Sequence, residues 1–115
     1  MRQYAYLAAP LDLEGLHITK IMLYETKADG TYVFLYDSPQ AQFCAADEWY
    51  EATQSALAQW QPLIDANGWI PLDDPLPDCQ DDAFLPIRIK GRNTGTPQWG
   101  QYEILTDKGW VEYRA

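Results

Sequence analysis

Two stretches of the chain have the pattern of apolar residues that is expected of neighbouring β-strands. Residues 18–25 (ITKIMLYE) and 31–37 (TYVFLYD) are rich in β-branched and aromatic residues, and Asp29-Gly30 between them is typical of a hairpin turn. The second stretch presents an aromatic set to one face and an aliphatic set to the other: Tyr32, Phe34 and Tyr36 against Val33 and Leu35. Because both sets are apolar, the pattern predicts a central strand covered on both faces.

The segment after this strand allows two interpretations. In one, Ser38 caps a long helix that begins at Pro39. In the other, which we favour, QFCAADEWYEA contains a third strand and Thr53 caps a shorter helix. The apolar stripe of that shorter helix consists of Ala56, Leu57, Trp60, Leu63 and Ile64.

Residues that end helices, together with further strand patterns, complete the predicted fold. Pro62 should kink or end the helix, and Asn67-Gly68 provides a C-terminal stop. Additional strands are predicted at 3–8, within 84–92, and in the hairpin QYEIL/WVEY that turns at 107–109. The sequence therefore predicts one α+β domain over 1–115, an antiparallel β-sheet of about five to six strands with one main α-helix packed on one face.

Charge is distributed unevenly along the chain. Between Lys27 and Arg88 there is no Lys or Arg, so that stretch carries −11, while the rest carries +2, giving the net charge of −9. The acids of the stretch are Asp29, Asp37, Asp47, Glu48, Glu51, Asp65, Asp73, Asp74, Asp78, Asp81 and Asp82. Such a field repels nucleic acid and anionic membranes and attracts basic surfaces.

Composition indicates a folded protein of the cytoplasm. Aromatic residues make up 14% of the chain, which argues against disorder. No apolar run is long enough for a membrane-spanning helix, and the first residues do not resemble a secretory signal. We therefore expect a cytoplasmic protein in which Cys44 and Cys79 are free thiols rather than a disulfide.

The proline-rich acidic segment 71–82, PLDDPLPDCQDD, is predicted to be an ordered connector. It lacks the central Gly and final Glu of a calcium-binding EF-hand loop, and one Cys among carboxylates is a poor zinc site. Neighbouring aspartates raise the pKa of a thiol, so Cys79 should be inert. His17, the only histidine, is interpreted as a surface or capping group. No catalytic residue, metal site or cofactor site is predicted.

A second candidate region lies near the C-terminal hairpin. Arg88, Lys90 and Arg92 alternate and so should share a face, where they either pair with the acidic 73–82 segment or bind a carboxylate or phosphate. The aromatic residues expected at the surface are Trp99, Tyr102 and Trp110. Those expected mostly in the core are Tyr24, Phe34, Tyr36, Trp49, Trp60 and Trp69.

Two stretches, KIMLYETKADGTYVFLYDSPQAQFCAADEWYE and DDPLPDCQDDAFLPIRIKGR, give the chain a family resemblance. It resembles small bacterial proteins of no assigned function that are carried on mobile integron gene cassettes. The resemblance implies a bacterial cytosolic accessory protein. It implies no catalytic or binding residue at any particular position.

Two hypotheses about function follow. The first is a non-enzymatic, inhibitor-like or immunity-like domain that binds a basic partner protein through acidic residues: Asp47, Glu48, Glu51, Asp73, Asp74, Asp78, Asp81 and Asp82. The alternative is a small-molecule-binding domain with an aromatic pocket formed by Arg88, Lys90, Arg92, Trp99, Tyr102 and Trp110. The first is favoured because of the −11 stretch; homo-oligomerisation stays open.

Overall fold

A five-stranded antiparallel sheet forms the centre of the molecule. The computed structural model describes residues 1–38, 41, 43–72, 87–106 and 108–113. The strands of the sheet are β1 (Arg2–Leu13), β2 (Leu16–Glu25), β3 (Thr31–Tyr36), β4 (Ala46–Tyr50) and β5 (Ile70–Leu72). Their order is β4-β3-β2-β1-β5, so β4 and β5 are the edges.

The predicted alternation of β3 is confirmed. The turn at Asp29-Gly30 joins β2 to β3, with Val33 opposite Leu23 and Phe34 opposite Met22. Residues 33–36 are all buried, so β3 is covered on both faces as expected of a central strand.

The N-terminal strand is longer than the predicted 3–8. β1 runs through Pro10 to Leu13, and its pairing with β2 shifts register between Tyr6 and Leu11. Pro10 lies inside this interruption, where the ladder does not need its missing N–H. The bulge therefore explains how one strand continues through a residue that normally ends strands.

A second, three-stranded antiparallel sheet is formed by β6 (Ile87–Ile89), β7 (Tyr102–Thr106) and β8 (Gly109–Tyr113), in the order β6-β7-β8. The hairpin of β7 and β8 is the predicted one. The described residues therefore contain eight strands in two sheets, whereas the sequence predicted one sheet of five to six. The antiparallel character is confirmed, but alternation within a strand does not specify its partner, and so the division was missed.

Within the described residues the chain has one α-helix, α1 (Thr53–Trp60), which is short. A 3-10 turn, Gln61–Leu63, follows it and contains Pro62, which ends the helix as predicted. The expected stop at Asn67-Gly68 is wrong, because the proline interrupts the helical hydrogen bonds first. Strand β4 confirms the favoured interpretation of a third strand followed by a shorter helix.

Thr53 is not the N-cap. Ala52 occupies that position without a side-chain cap, and Thr53 is the first helical residue. Its hydroxyl instead bonds the carboxylate of Glu25 and lies 2.7 Å from the hydroxyl of Thr31. The threonine therefore ties the helix start to β2 and β3 rather than capping its own backbone.

The two faces of the five-stranded sheet have different covers. The helix packs on one face, as predicted, and its core consists of Ala5, Leu7, Ile18, Ile21, Leu23, Val33, Leu35, Ala56 and Trp60. The small sheet contributes Leu105 to the buried cluster of the other face, together with Tyr4, Met22, Phe34 and Tyr36. None of the helical segments in the described ranges combines the length and apolarity needed to cross a membrane.

Most of the predicted core aromatics are in place. Phe34, Tyr36 and Trp60 are buried, and Tyr24 and Trp69 pack at the margins of the two clusters. Trp49 is the exception, because 55% of its surface is exposed. Trp49 lies on edge strand β4, opposite Tyr32 and on the face that the helix does not cover.

Candidate functional site

Edge strand β4 separates its acidic residues onto two faces. Asp47 lies opposite Phe34 and Trp49 opposite Tyr32, on the aromatic face of the sheet. Glu48 lies opposite Val33, on the helix face. The alternation of a strand therefore places neighbouring carboxylates in different surroundings.

The indole of Trp49 is held against the turn between β2 and β3. Its Nε1 donates a hydrogen bond to the backbone oxygen of Asp29 at 2.7 Å. Gly30 leaves room for the ring, since a Cβ there would lie 2.7 Å from Nε1 of Trp49 and 2.6 Å from the backbone oxygen of Tyr50. The φ of Gly30 is +76°, which also favours glycine. Trp49 is therefore exposed and yet fixed in orientation.

Hydrogen bonds also fix Asp29 in this turn. Oδ2 of Asp29 accepts a hydrogen bond from the Tyr32 hydroxyl at 2.9 Å, and the Asp29 N–H donates to Oγ1 of Thr26 at 2.8 Å. The hydrogen bond to Asp29 is the main reason that the pKa of Tyr32 is raised. Desolvation and the negative charges of Asp29 and Asp47 raise it further. Both carboxylates therefore act on one phenol.

These residues form a surface that we name the acidic edge: Asp29, Asp47, Trp49 and Glu51. Asp29, Asp47 and Glu51 are exposed, and Glu51 directly follows β4. No Lys or Arg occurs between Lys27 and Arg88, so the base nearest to these residues in the sequence is Lys27, two positions before Asp29. The acidic edge combines negative charge with one oriented aromatic ring.

Glu48, also predicted to bind a partner, is hydrogen-bonded to other residues of the fold. Its Oε1 accepts hydrogen bonds from Nε1 of Trp60 and the hydroxyl of Tyr50, both at 3.0 Å. Burial is the first cause of the raised pKa of Tyr50; the bond to Glu48 also raises it, while the bond from Trp60 lowers it. Glu48 thus links β4 to α1. The other predicted acids, Asp73, Asp74, Asp78, Asp81 and Asp82, lie outside the described residues.

Cations and a thiol lie within the aromatic face. Arg2 and Lys20 are buried, and Nζ of Lys20 lies 4.7 Å from the centre of the Tyr36 ring. Burial raises the pKa of Tyr36 strongly; Cys44 raises it further, and the charge of Arg2 lowers it. Burial, followed by the charge of Asp47, raises the pKa of the free Cys44 thiol. A raised pKa favours the protonated thiol over the reactive thiolate.

The structure does not gather the residues proposed for the alternative ligand site. Nε of Arg88 lies 3.2 Å from Oε1 of Glu103, and the Arg88 guanidinium stacks 4.1 Å from the centre of the Trp110 ring. Glu103 and Tyr102 are consecutive in β7, so Tyr102 points to the opposite face of the small sheet. Tyr102 is exposed, whereas Arg88 and Trp110 are half-buried.

Lys90 and Arg92 also depart from the predicted arrangement. Strand β6 ends at Ile89, and the chain turns at Gly91, whose φ is +80°. A Cβ on Gly91 would lie 2.3 Å from the Thr96 oxygen, so this compact loop requires glycine. The three bases are therefore not on one strand face, because the strand stops before the second, Lys90. Trp99 in the same loop is exposed as predicted.

Two features of the site were missed in the sequence. Asp29 is recognisable in the sequence as a turn residue and as one acid of the −11 stretch, but nothing local indicates that Trp49 bonds to it. The buried Lys20 carried a weak signal, since it occupies the same face of its strand as Met22. His17, by contrast, is exposed as predicted, with Nδ1 3.1 Å from Oδ1 of Asp12.

Comparison of the chain with protein-family models, with curated proteins and with solved structures finds no match in any of the three. Among the described residues, no group of three or more His, Cys, Asp or Glu side chains is arranged to hold a metal ion. Any functional conclusion therefore depends on the geometry and charge of this chain itself.

Proposed function

We propose that the chain is a non-enzymatic α+β binding domain of the bacterial cytoplasm whose acidic edge binds a basic partner protein. The observation that carries this proposal is the oriented, half-exposed Trp49 beside the exposed carboxylates of Asp47 and Asp29. Because its N–H is already bonded, the ring offers its π-face, which attracts Lys and Arg side chains.

Electrostatics favours a basic protein over other partners. The stretch between Lys27 and Arg88 carries −11, and a field of this sign speeds association with cationic surfaces and repels nucleic acid. The alternative small-molecule site has weaker support, because Arg88 and Trp110 contact each other within the fold and Tyr102 lies on the other face. Inhibitor-like or immunity-like masking of a cationic surface fits the charge.

A capture experiment with two matched double variants tests the proposal. Asp47→Asn/Glu51→Gln removes two charges from the acidic edge. Asp12→Asn/Glu14→Gln removes two exposed charges near the turn between β1 and β2. The ten residues of β2 separate the two turns by about 33 Å, so the control changes net charge equally without touching the acidic edge.

Each immobilised protein is exposed to nuclease-treated bacterial lysate and eluted in salt steps, with mass spectrometry of the fractions. We expect the wild type and the control to retain a basic protein that is released at moderate salt, because exposed charges are screened beyond about 8 Å at physiological ionic strength. The acidic-edge variant should retain about tenfold less. Equal capture by both variants, or capture that does not respond to salt, would contradict the proposal.

A further inference from the structure

The two edges of the five-stranded sheet differ in their capacity to accept another strand. β5 has three residues, and its central residue is Pro71, which has no N–H to donate. β4 has five residues and contains no proline, glycine or lysine. Natural sheets block their edges with just such short strands, prolines and lysines, so β5 is protected in a way that β4 is not.

In the described part of the chain, β4 pairs only with β3. Strand β4 is also fixed in position on the helix face, since Glu48 and Tyr50 are hydrogen-bonded to Trp60 of the helix. A strand that is already ordered loses little conformational entropy when a partner pairs with it. The side of β4 that no described strand pairs with is therefore a preorganised template for backbone hydrogen bonding.

From this geometry we infer that the basic partner contributes an extended segment that pairs with β4 as a sixth strand, an inference that rests on the function proposed above. Side chains directly opposite each other on paired strands lie about 4.5–5.5 Å apart at Cβ, so alternate residues of the segment meet Asp47 and Trp49. Arginine or lysine suits both positions, through an ion pair with Asp47 and a cation–π contact with Trp49.

A second copy of this chain is a poorer occupant. An antiparallel pair of β4 strands centred on Glu48 would place the two Glu48 residues opposite each other. The Asp47 residue of each strand would lie next to this pair and add to the negative charge. Like charges at opposed positions destabilise strand pairing. The same acids that repel a copy of β4 attract a cationic strand, which selects the partner by its charge.

Two peptides with the same charge separate backbone pairing from simple charge attraction. The first is a short peptide of alternating arginine and threonine. The second has the same sequence with every backbone amide N-methylated, so it keeps the arginines and loses its hydrogen-bond donors. Binding to the whole chain is measured calorimetrically at low and high salt, and amide hydrogen exchange is followed by NMR.

We expect the first peptide to bind about tenfold more tightly than the second, because only it can form the ladder with β4. It should slow exchange of the outward-facing amides of 46–50 and leave Ile70 and Leu72 of the other edge unchanged. Asp47→Asn should weaken the first peptide, whereas Glu14→Gln should not.

Equal affinity of both peptides without protection of β4 would overturn strand pairing, while the function proposed above would stand on its salt dependence. Failure of both peptides to bind would overturn strand pairing too, and the lysate capture would then decide the proposed function separately. A dimer of the free chain with the β4 amides already protected would assign this edge to self-pairing and overturn the inference.

Discussion

The two faces of the five-stranded sheet are lined by alternate residues of the same strands, and yet they differ in chemistry and cover. The helix face is aliphatic and is closed by Ala56 and Trp60 of one short helix. The other face is aromatic and meets Leu105 of the small sheet. Small side chains allow a helix to approach closely, whereas large rings fill the space from the sheet itself.

The difference also decides where polar groups can be buried. On the helix face, the polar contact between Glu48 and Trp60 lies beside edge strand β4. On the aromatic face, Lys20 is buried with its ammonium group over the Tyr36 ring. The π-face of an aromatic ring attracts a cation and so offsets part of its desolvation, which an aliphatic layer does not. An aromatic layer thus accepts charge that an aliphatic layer excludes.

The largest expected effect is the loss of stability when a side chain that covers either face of the sheet is removed. Trp60→Ala should lower the free energy of unfolding by about 3–5 kcal/mol and Leu105→Ala by about 2–5 kcal/mol, because each leaves a cavity. Trp60→Phe keeps most of the ring but leaves Glu48 without its indole donor, at a cost of about 1–3 kcal/mol. Urea denaturation measures all three. A loss below about 0.5 kcal/mol for Leu105→Ala would show that the small sheet does not stabilise the aromatic face.

The next effect concerns the turn at the margin of the aromatic face. Gly30→Ala should destabilise by about 1–3 kcal/mol, through strain at positive φ and a clash with the Tyr50 oxygen. It should also displace Trp49, which NMR of the indole N–H would detect. Gly15→Ala is the matched control, since its φ is +84° but nothing lies within 4 Å of the added Cβ. Equal losses for both variants would argue against the close packing of Trp49 on Gly30.

Alkaline pH should act more strongly through the aromatic face. In the folded protein the raised pKa of Tyr36 keeps its proton where the unfolded chain has lost it. The free energy of unfolding should therefore fall as pH rises above about 10, the ordinary pKa of tyrosine. Tyr36→Phe should reduce that slope by up to about 1.4 kcal/mol per pH unit. Phe34→Leu, a neighbouring change without a titrating group, should lower stability and leave the slope unchanged; equal slopes in all three proteins would refute this account.

The smallest effect is a rate. In a Cys79→Ser background, alkylation of Cys44 at pH 8 should be about tenfold slower in the folded protein than in urea, because burial and Asp47 raise the pKa of the thiol. Asp47→Asn should restore about twofold of that rate by lowering the pKa again. A rate that did not respond to Asp47→Asn would remove Asp47 from the surroundings of the thiol.

Local pattern was sufficient for the elements that follow strand or turn chemistry directly. Three features depend on residues within a few positions of each other: the alternation of β3, the turn at Asp29-Gly30 and the end of α1 just before Pro62. Hydrophobic spacing and backbone chemistry specify such features, and the structure confirms them.

The features that were missed depend on contacts between distant segments. Trp49 was assigned to the core because its residue type is usually buried, but its strand became an edge. Thr53 was assigned as a cap, but Glu25 and Thr31 were available to bond its hydroxyl. Glu48 and Asp47 were both assigned to the partner surface, but they lie on different faces of β4 and Glu48 is hydrogen-bonded to Trp60 of the helix. Such choices are set by strand order, which no local pattern carries.

The pairing of β5 with β1 has a consequence for the order of folding. Strands β1 to β4 pair with their neighbours in the chain, whereas Arg2 is paired with Leu72, which lies far along the sequence. Loops that long close slowly, so contacts of high sequence separation tend to form after local hairpins. We expect the four-stranded meander to assemble first, with the outer side of β1 open until Ile70–Leu72 docks. During synthesis, another chain that paired with this side of β1 would therefore block the docking of β5 and so the completion of the sheet.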